Sequence, residues 1–287
     1  MNNINDIKLA TLRALMSDDI LMQGLVLKGG NALQLAYDIT DRGSIDIDFS
    51  MENDFSSKDY ERLNRVISTL LIKQFDSLDL IPFDVRLIEK PKEGSIPQWK
   101  GYLLEFKLIS KELNEQFKDN IDSKRRNALS IKENHSTKYT VDISAYEYTS
   151  SSTRKEIDGI ILRVYTPEMI VIEKIRAICQ SMDEYKKIVT TAGQKKRARD
   201  IYDICNLYDK FPNIASEITG ELIINIFQAK QVPINFIDKI IDIKERYRED
   251  WESVKATIFD GEDLESYDFY FDQFSKIIKD IKDLLDK

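Results

Sequence analysis

Histidine is almost missing from this 287-residue chain: His135 stands alone, which excludes a metal site built from several histidines. It sits in the polar stretch "KENHSTK", read as a loop before a strand, where an inert role fits it. A Ser-His-Asp or Cys-His catalytic set would have only this one ring to draw on. Cysteine is nearly as scarce. Cys179 and Cys205 both fall within helical patterns and are too few for a secreted disulfide framework, so buried, reduced thiols are expected. With 10 glycines and 6 prolines, 42% hydrophobic and 32% charged residues, the composition is that of a folded globular protein without low-complexity tracts. No uncharged run approaches the length of a membrane span, and the start, "MNNINDIKLATLRALMSDD", lacks the apolar core of a signal peptide. A cytoplasmic protein without a membrane partner is the expectation. Positive charge is also in deficit, with a net charge of -8, which argues against a surface coated in nucleic acid and leaves room only for a local basic patch.

The length suggests two domains. Apolar residues at helical spacing run through residues 4 to 22, and "LVLK" at 25 to 28 reads as a short buried strand. "GGNALQLAYDI" follows. Gly29 and Gly30 free the backbone to turn, Asn31 can cap, and residues 32 to 37 can start a helix. After a helical stretch near 57 to 75, "FDVRLIEK" and "GYLLEFKLIS" alternate as strands, and "KYTVDIS" makes a further one with Tyr139, Val141 and Ile143 on one face and Thr140, Asp142 and Ser144 on the other. Past "GIILRVYTPE" the character changes. Thr166 as N-cap, Pro167 in the first helical position and Glu168 at the positive end of the dipole predict a helix start, and every later segment is helix-like. The organisation expected is an α+β domain over residues 1–165 followed by a helical domain over 166–287.

The stretch "RGSIDIDF", residues 42 to 49, breaks the rule that strands bury apolar side chains and expose scattered polar ones. Extended, it places Gly43, Ile45, Ile47 and Phe49 on one face and Arg42, Ser44, Asp46 and Asp48 on the other. Two carboxylates on one strand face, roughly 7 Å apart, repel each other unless solvated or neutralised by a cation. Alone, the octapeptide admits two readings: a solvated strand face, or a divalent-metal site of hard oxygen ligands that holds magnesium against substrate phosphates. Its neighbours favour the second. A glycine turn before a helix N-terminus presents free backbone N–H groups to a phosphate, and Asp142 adds a carboxylate on the polar face of another strand. Together these form the minimum kit for two-metal phosphoryl chemistry, in which one ion lowers the pKa of an attacking hydroxyl and the other neutralises the leaving pyrophosphate.

The segments "KGGNAL", "RGSIDIDF", "VDIS", "TPEMIVIEK" and "RARDIYDI", in that order over residues 28 to 204, resemble the AbiEii/AbiGii nucleotidyltransferase toxins of bacterial toxin–antitoxin and phage-defence systems. Asn31 stands where that family often has a small hydroxyl residue, and Arg199 where a lysine commonly precedes the aspartate. The resemblance implies a polymerase-β-like nucleotidyltransferase core, a mixed sheet with flanking helices, and then a helical bundle whose first two helices, about 166–210, complete the active-site groove. It also implies transfer of a nucleotide from an NTP to an acceptor hydroxyl, magnesium as cofactor, and a cognate antitoxin. Residue by residue, Gly29, Gly30, Asn31 and Ser44 would hold the nucleotide. Asp46 and Asp48 would bind magnesium, Lys174 would reach the phosphates, and Asp200 would be the remaining catalytic acid. Asp142 is added to the metal site by the strand-face argument, or alternatively orients the acceptor.

Two readings from other classes compete: a catalytically silent binding module that keeps the fold, and a small-molecule nucleotidyltransferase of the antibiotic-modifying type. The acidic residues and Lys174 argue against the first, and the separate "RARDIYDI" element against the second. For the acceptor, RNA such as tRNA is preferred over a protein hydroxyl. The segment "KKIVTTAGQKKRAR", Lys186 to Arg199, holds six cations and no acidic residue just before Asp200, although such a run can also be a solvated helix end. Lys174 and Glu173 can likewise be plain helix-surface charge, and Arg199 with Asp203 an i, i+4 ion pair of small value.

Overall fold

The computed structural model describes residues 4–39, 46–91, 97–130, 136–189, 193, 195–256 and 264–285. The chain divides into two compact units. The first comprises Met1–Ala36, Ser44–Thr149 and Thr153–Val164, and the second Tyr37–Gly43, Ser150–Ser152 and Tyr165–Lys287.

The first unit is α+β. The helical spacing over residues 4 to 22 is realised as two helices, α1 (Ile4–Met16) and α2 (Asp19–Gly24). The break falls at Asp18, whose carboxylate accepts from the Ile20 and Leu21 N–H groups and so caps α2. There follow β1 (Val26–Lys28), α3 (Gly29–Tyr37), β2 (Ile47–Ser50), α4 (Ser57–Phe75), β3 (Leu80–Lys90), β4 (Gly101–Ser110), the short helices α5 (Lys111–Phe117) and α6 (Ile121–Arg126), and β5 (Tyr139–Ser144). The hairpin β6 (Thr153–Ile157) and β7 (Ile160–Val164) completes a seven-stranded mixed sheet of order β3-β4-β5-β2-β1-β7-β6.

The sheet has one apolar and one polar face in its centre. Ile47, Phe49, Tyr139, Val141 and Ile143 are buried on the first. Helix α4 presents Leu63, Ile67, Leu71 and Phe75 at four-residue spacing to the core, where Phe106 lies 5.8 Å from Phe75 and 5.7 Å from Tyr139, ring centre to ring centre. The opposite face follows from register. Asp48 pairs with Lys28 on β1 and with Asp142 on β5, while Thr140 pairs with Glu105 and Glu105 with Arg86. Paired residues point the same way, so these side chains share one face.

The second unit is helical among its described residues: α7 (Pro167–Gln180), α8 (Asp183–Lys186), α9 (Ala198–Lys210), α10 (Ile214–Glu217), α11 (Gly220–Ala229), a 3₁₀ stretch Ile234–Ile243, α12 (Lys244–Arg248), α13 (Trp251–Lys255) and α14 (Tyr267–Leu285). Pro167 opens α7 as expected, but the Thr166 hydroxyl makes no capping hydrogen bond. Cys179 and Cys205 are free and buried, and burial pushes the Cys205 thiol up to about 12. No helix among the described residues is long and apolar enough to cross a membrane.

Candidate active site

Gly29 is the pivot of the first unit's polar face. It directly follows β1, opens α3, and has φ +67°. A β-carbon there would lie 2.8 Å from Asp48 Oδ2, so the turn is packed directly against that carboxylate. Both the left-handed backbone and the close approach require glycine. The first turn of α3 therefore begins beside Asp48, at the positive end of the helix dipole.

Asn31 does not cap this helix. It lies within α3, fully buried, and its Nδ2 donates to the Asp46 carbonyl at 2.5 Å. Through this bond the amide ties α3 to the segment that enters β2. Asp46 is exposed, one residue ahead of β2, and its Oδ1 accepts from the Thr140 hydroxyl at 2.7 Å. Thr140 thus joins the candidate site, signalled in the sequence only by sharing a face with Asp142. Asp48 is half-buried and Asp142 exposed, with Lys90 3.9 Å from the Asp142 carboxylate. On the β1 side Lys28 pairs with the buried Glu147 at 3.4 Å, and Glu147 also accepts from Ser144 at 2.9 Å. Ser44 lies outside the described residues, as does His135.

Among the described residues no group of three or more His, Cys, Asp or Glu side chains is placed to hold a metal ion. Asp46, Asp48 and Asp142 thus share a face without forming a ready-made three-carboxylate cage. A cleft of about 210 Å³, lined in part by Glu52, Asp54, Asp59 and Arg163, lies beyond the end of β2 and includes neither Asp46 nor Asp48.

In the second unit, Lys174 and Asp200 form a cluster of their own. Lys174 is buried, with Nζ 2.8 Å from Asp200 Oδ1 and 2.7 Å from Asp203 Oδ2, and Arg197 reaches Asp200 Oδ2 at 2.9 Å. Lys174 is therefore not helix-surface charge, and Asp203 bonds to Lys174. Burial works against ionisation of Asp200, yet the Lys174 and Arg197 charges outweigh it and hold its carboxyl well below the usual range. Arg197 is held above its ordinary value, with Asp200 overcoming its own desolvation. Of the six cations in Lys186 to Arg199, Arg197 is thus bound to Asp200 and Lys196 to Glu249, while Lys186, Lys187 and Lys195 are exposed; residues 190–192 and 194 lie outside the described set.

The model of a family described as "Nucleotidyl transferase AbiEii toxin, Type IV TA system" matches residues 10–273. The chain belongs to the AbiEii nucleotidyltransferase toxin family. Its membership makes it a nucleotidyltransferase of a toxin–antitoxin type. In the comparison of folds, JHP933 from Helicobacter pylori is 14% identical, with 98% of this chain and 91% of that one covered and a TM-score of 0.48. An antigenic nucleotidyltransferase-like protein from Paracoccidioides brasiliensis is 16% identical over 80% of this chain and 94% of that one, with a TM-score of 0.36. Among curated proteins none matches the chain.

Proposed function

We propose that this AbiEii-family chain transfers a nucleotide from an NTP to an RNA hydroxyl, with magnesium held by Asp46 and Asp48. The observation that carries the reading is the packing of the Gly29 turn against Asp48, which sets a helix N-terminus suited to phosphate beside a carboxylate suited to a cation. The donor set fits magnesium, which is commonly held by one or two carboxylates together with water and substrate phosphates, so a third protein ligand is not required. When bound, magnesium supplies positive charge to the phosphates and acidity to a coordinated hydroxyl.

The chain's own residues do the positioning. Gly29 and Gly30 offer backbone N–H groups to the triphosphate, Asn31 fixes the entry to β2, and Thr140 orients Asp46 through its hydroxyl. Asp142, in register with Asp48 on the far side from β1, is assigned to orient the acceptor hydroxyl rather than to complete a metal cage. Lys174 and Asp200 enter through the family resemblance. By that resemblance Lys174 reaches the phosphates and Asp200, kept ionised, is the remaining catalytic acid. RNA is preferred as acceptor because exposed Lys186, Lys187 and Lys195 concentrate positive charge on an otherwise acidic protein. Such transfer makes the chain the toxic member of a pair held in check by an antitoxin, with phage defence as its setting.

The test is incubation of the purified protein with each labelled NTP, magnesium and total-cell extract, followed by separation of RNA from protein. Label in RNA that disappears with Asp46→Asn and with Asp48→Asn is expected. Label confined to protein overturns the acceptor, and full transfer by both variants overturns the metal assignment.

A further inference from the structure

The polar face of the first unit carries a second concentration of charge, away from the glycine turn. A cleft of about 90 Å³ is lined by Asp84 and Arg86 of β3, Glu105 and Lys107 of β4, Arg125 of α6, and Lys138 at the entry to β5. Four cations face two carboxylates there. Glu105, buried, lies 3.2 Å from Lys138 and 3.6 Å from Arg86. Asp84 takes both Nε and Nη2 of Arg125, at 2.7 and 2.9 Å, and has Lys107 at 4.0 Å. The exposed Asp122 reaches Arg125 only at 3.9 Å. Each inner carboxylate thus anchors two cations while the lining keeps an excess of positive charge. Arg86, Lys138 and Arg125 remain 59%, 55% and 44% exposed, so their outer N–H groups are open to a ligand. A fixed fork of cations in a concave site suits a phosphate better than a mobile surface lysine does.

Position identifies whose phosphate. Glu105 is the register partner of Thr140, which bonds Asp46, and Arg86 is the partner of Glu105. The cleft therefore continues the face that carries Asp46, Asp48 and Asp142. In the sheet order, β2 separates it from the glycine turn: β1 and Gly29 lie to one side, and β5, β4 and β3 to the other. A donor triphosphate at the turn leaves the opposite side for the acceptor. From β2 to β4 is two strand spacings, about 10 Å, which a single strand of nucleic acid rising about 3.4 Å per nucleotide spans in about three nucleotides.

We propose that this cleft holds a backbone phosphate of a polynucleotide acceptor a few nucleotides from the reacting hydroxyl. The proposal rests on the reading of the chain as an RNA nucleotidyltransferase. Its test compares the parent with Arg86→Gln/Lys138→Gln, and with the triple variant that adds Glu105→Gln so that no buried carboxylate is left uncompensated. A fluorescent unstructured 12-nucleotide RNA and bulk tRNA are the probes. Binding is measured across a salt series, alongside NTP affinity and melting temperature.

The expected result is RNA affinity at least tenfold weaker and a salt dependence shallower by about one unit of log–log slope in both variants, with NTP affinity kept. If the triple variant melts like the parent and binds both RNAs with the parent's affinity and slope, the cleft is not the acceptor's phosphate site, although RNA transfer stands. If the parent itself labels only protein in extract, the RNA reading fails and the inference falls with it.

Discussion

Gly29 and Asp48 are in such close apposition that the space where a β-carbon would sit on Gly29 is taken by Asp48 Oδ2, 2.8 Å away. Gly29 directly follows β1, whose antiparallel register with β2 places Lys28 opposite Asp48. The turn proposed to bind phosphate and the carboxylate proposed to bind magnesium are thereby built as one object. Whatever displaces one displaces the other.

Gly29→Ala tests that coupling. An alanine must hold φ near +67°, at a cost of about 1–2 kcal/mol, and its methyl group must push the Asp48 carboxylate aside. Transfer should fall by at least about tenfold, read as kcat/KM, while the protein still melts cooperatively. Gly24→Ala is the control: nothing stands within 4 Å of its would-be β-carbon, and its activity should match the parent's. Equal activity of both variants would refute the coupling.

The polar face was legible in the sequence because period-two alternation is local. Residues 139 to 144 alternate buried and open as written. The hairpin of β6 and β7 has a local signal of its own, the Asp158-Gly159 pair with both residues at positive φ. Other features had no local signal. Lys174 looks like any helix lysine until α9 brings Asp200 and Asp203 to it from 26 and 29 positions away. Asn31 looks like a cap because its carbonyl partner lies 15 residues on, and the basic cleft draws on residues spread from 84 to 138.

The Lys174 cluster makes the second unit sensitive to acid. Asp200 has its folded pKa below its ordinary value of 3.8, so its contribution to stability is complete above that value and is lost as the pH falls through the folded one. Melting temperature should therefore drop steeply below about pH 4. Asp200→Asn should flatten that acid limb while lowering stability at neutral pH. Lys174→Met, which takes this cation from the buried Asp203 and leaves Asp200 with Arg197, should cost about 3–5 kcal/mol. Activity lost in Lys174 variants must accordingly be read beside NTP affinity measured on folded protein. An unchanged acid limb in Asp200→Asn would show that the pair does not govern acid stability.

Lys8 sets the opposite pH dependence. It is buried on α1, with its Nζ donating to Gln34 Oε1 at 2.8 Å, and burial lowers its pKa from 10.5 to about 8. The folded state disfavours the ammonium that the unfolded chain keeps. The resulting penalty is complete below about pH 8 and is relieved as the pH rises from there toward 10.5. Lys8→Met fills the same space without the charge, and Gln34 is half-exposed, so water can take over its hydrogen bond. The variant should melt about 3 °C higher at pH 7, corresponding to about 1 kcal/mol, and the gain should shrink steadily between pH 8 and 10.5. A lower melting temperature at pH 7 would mean that the bond to Gln34 contributes more than the desolvated charge costs.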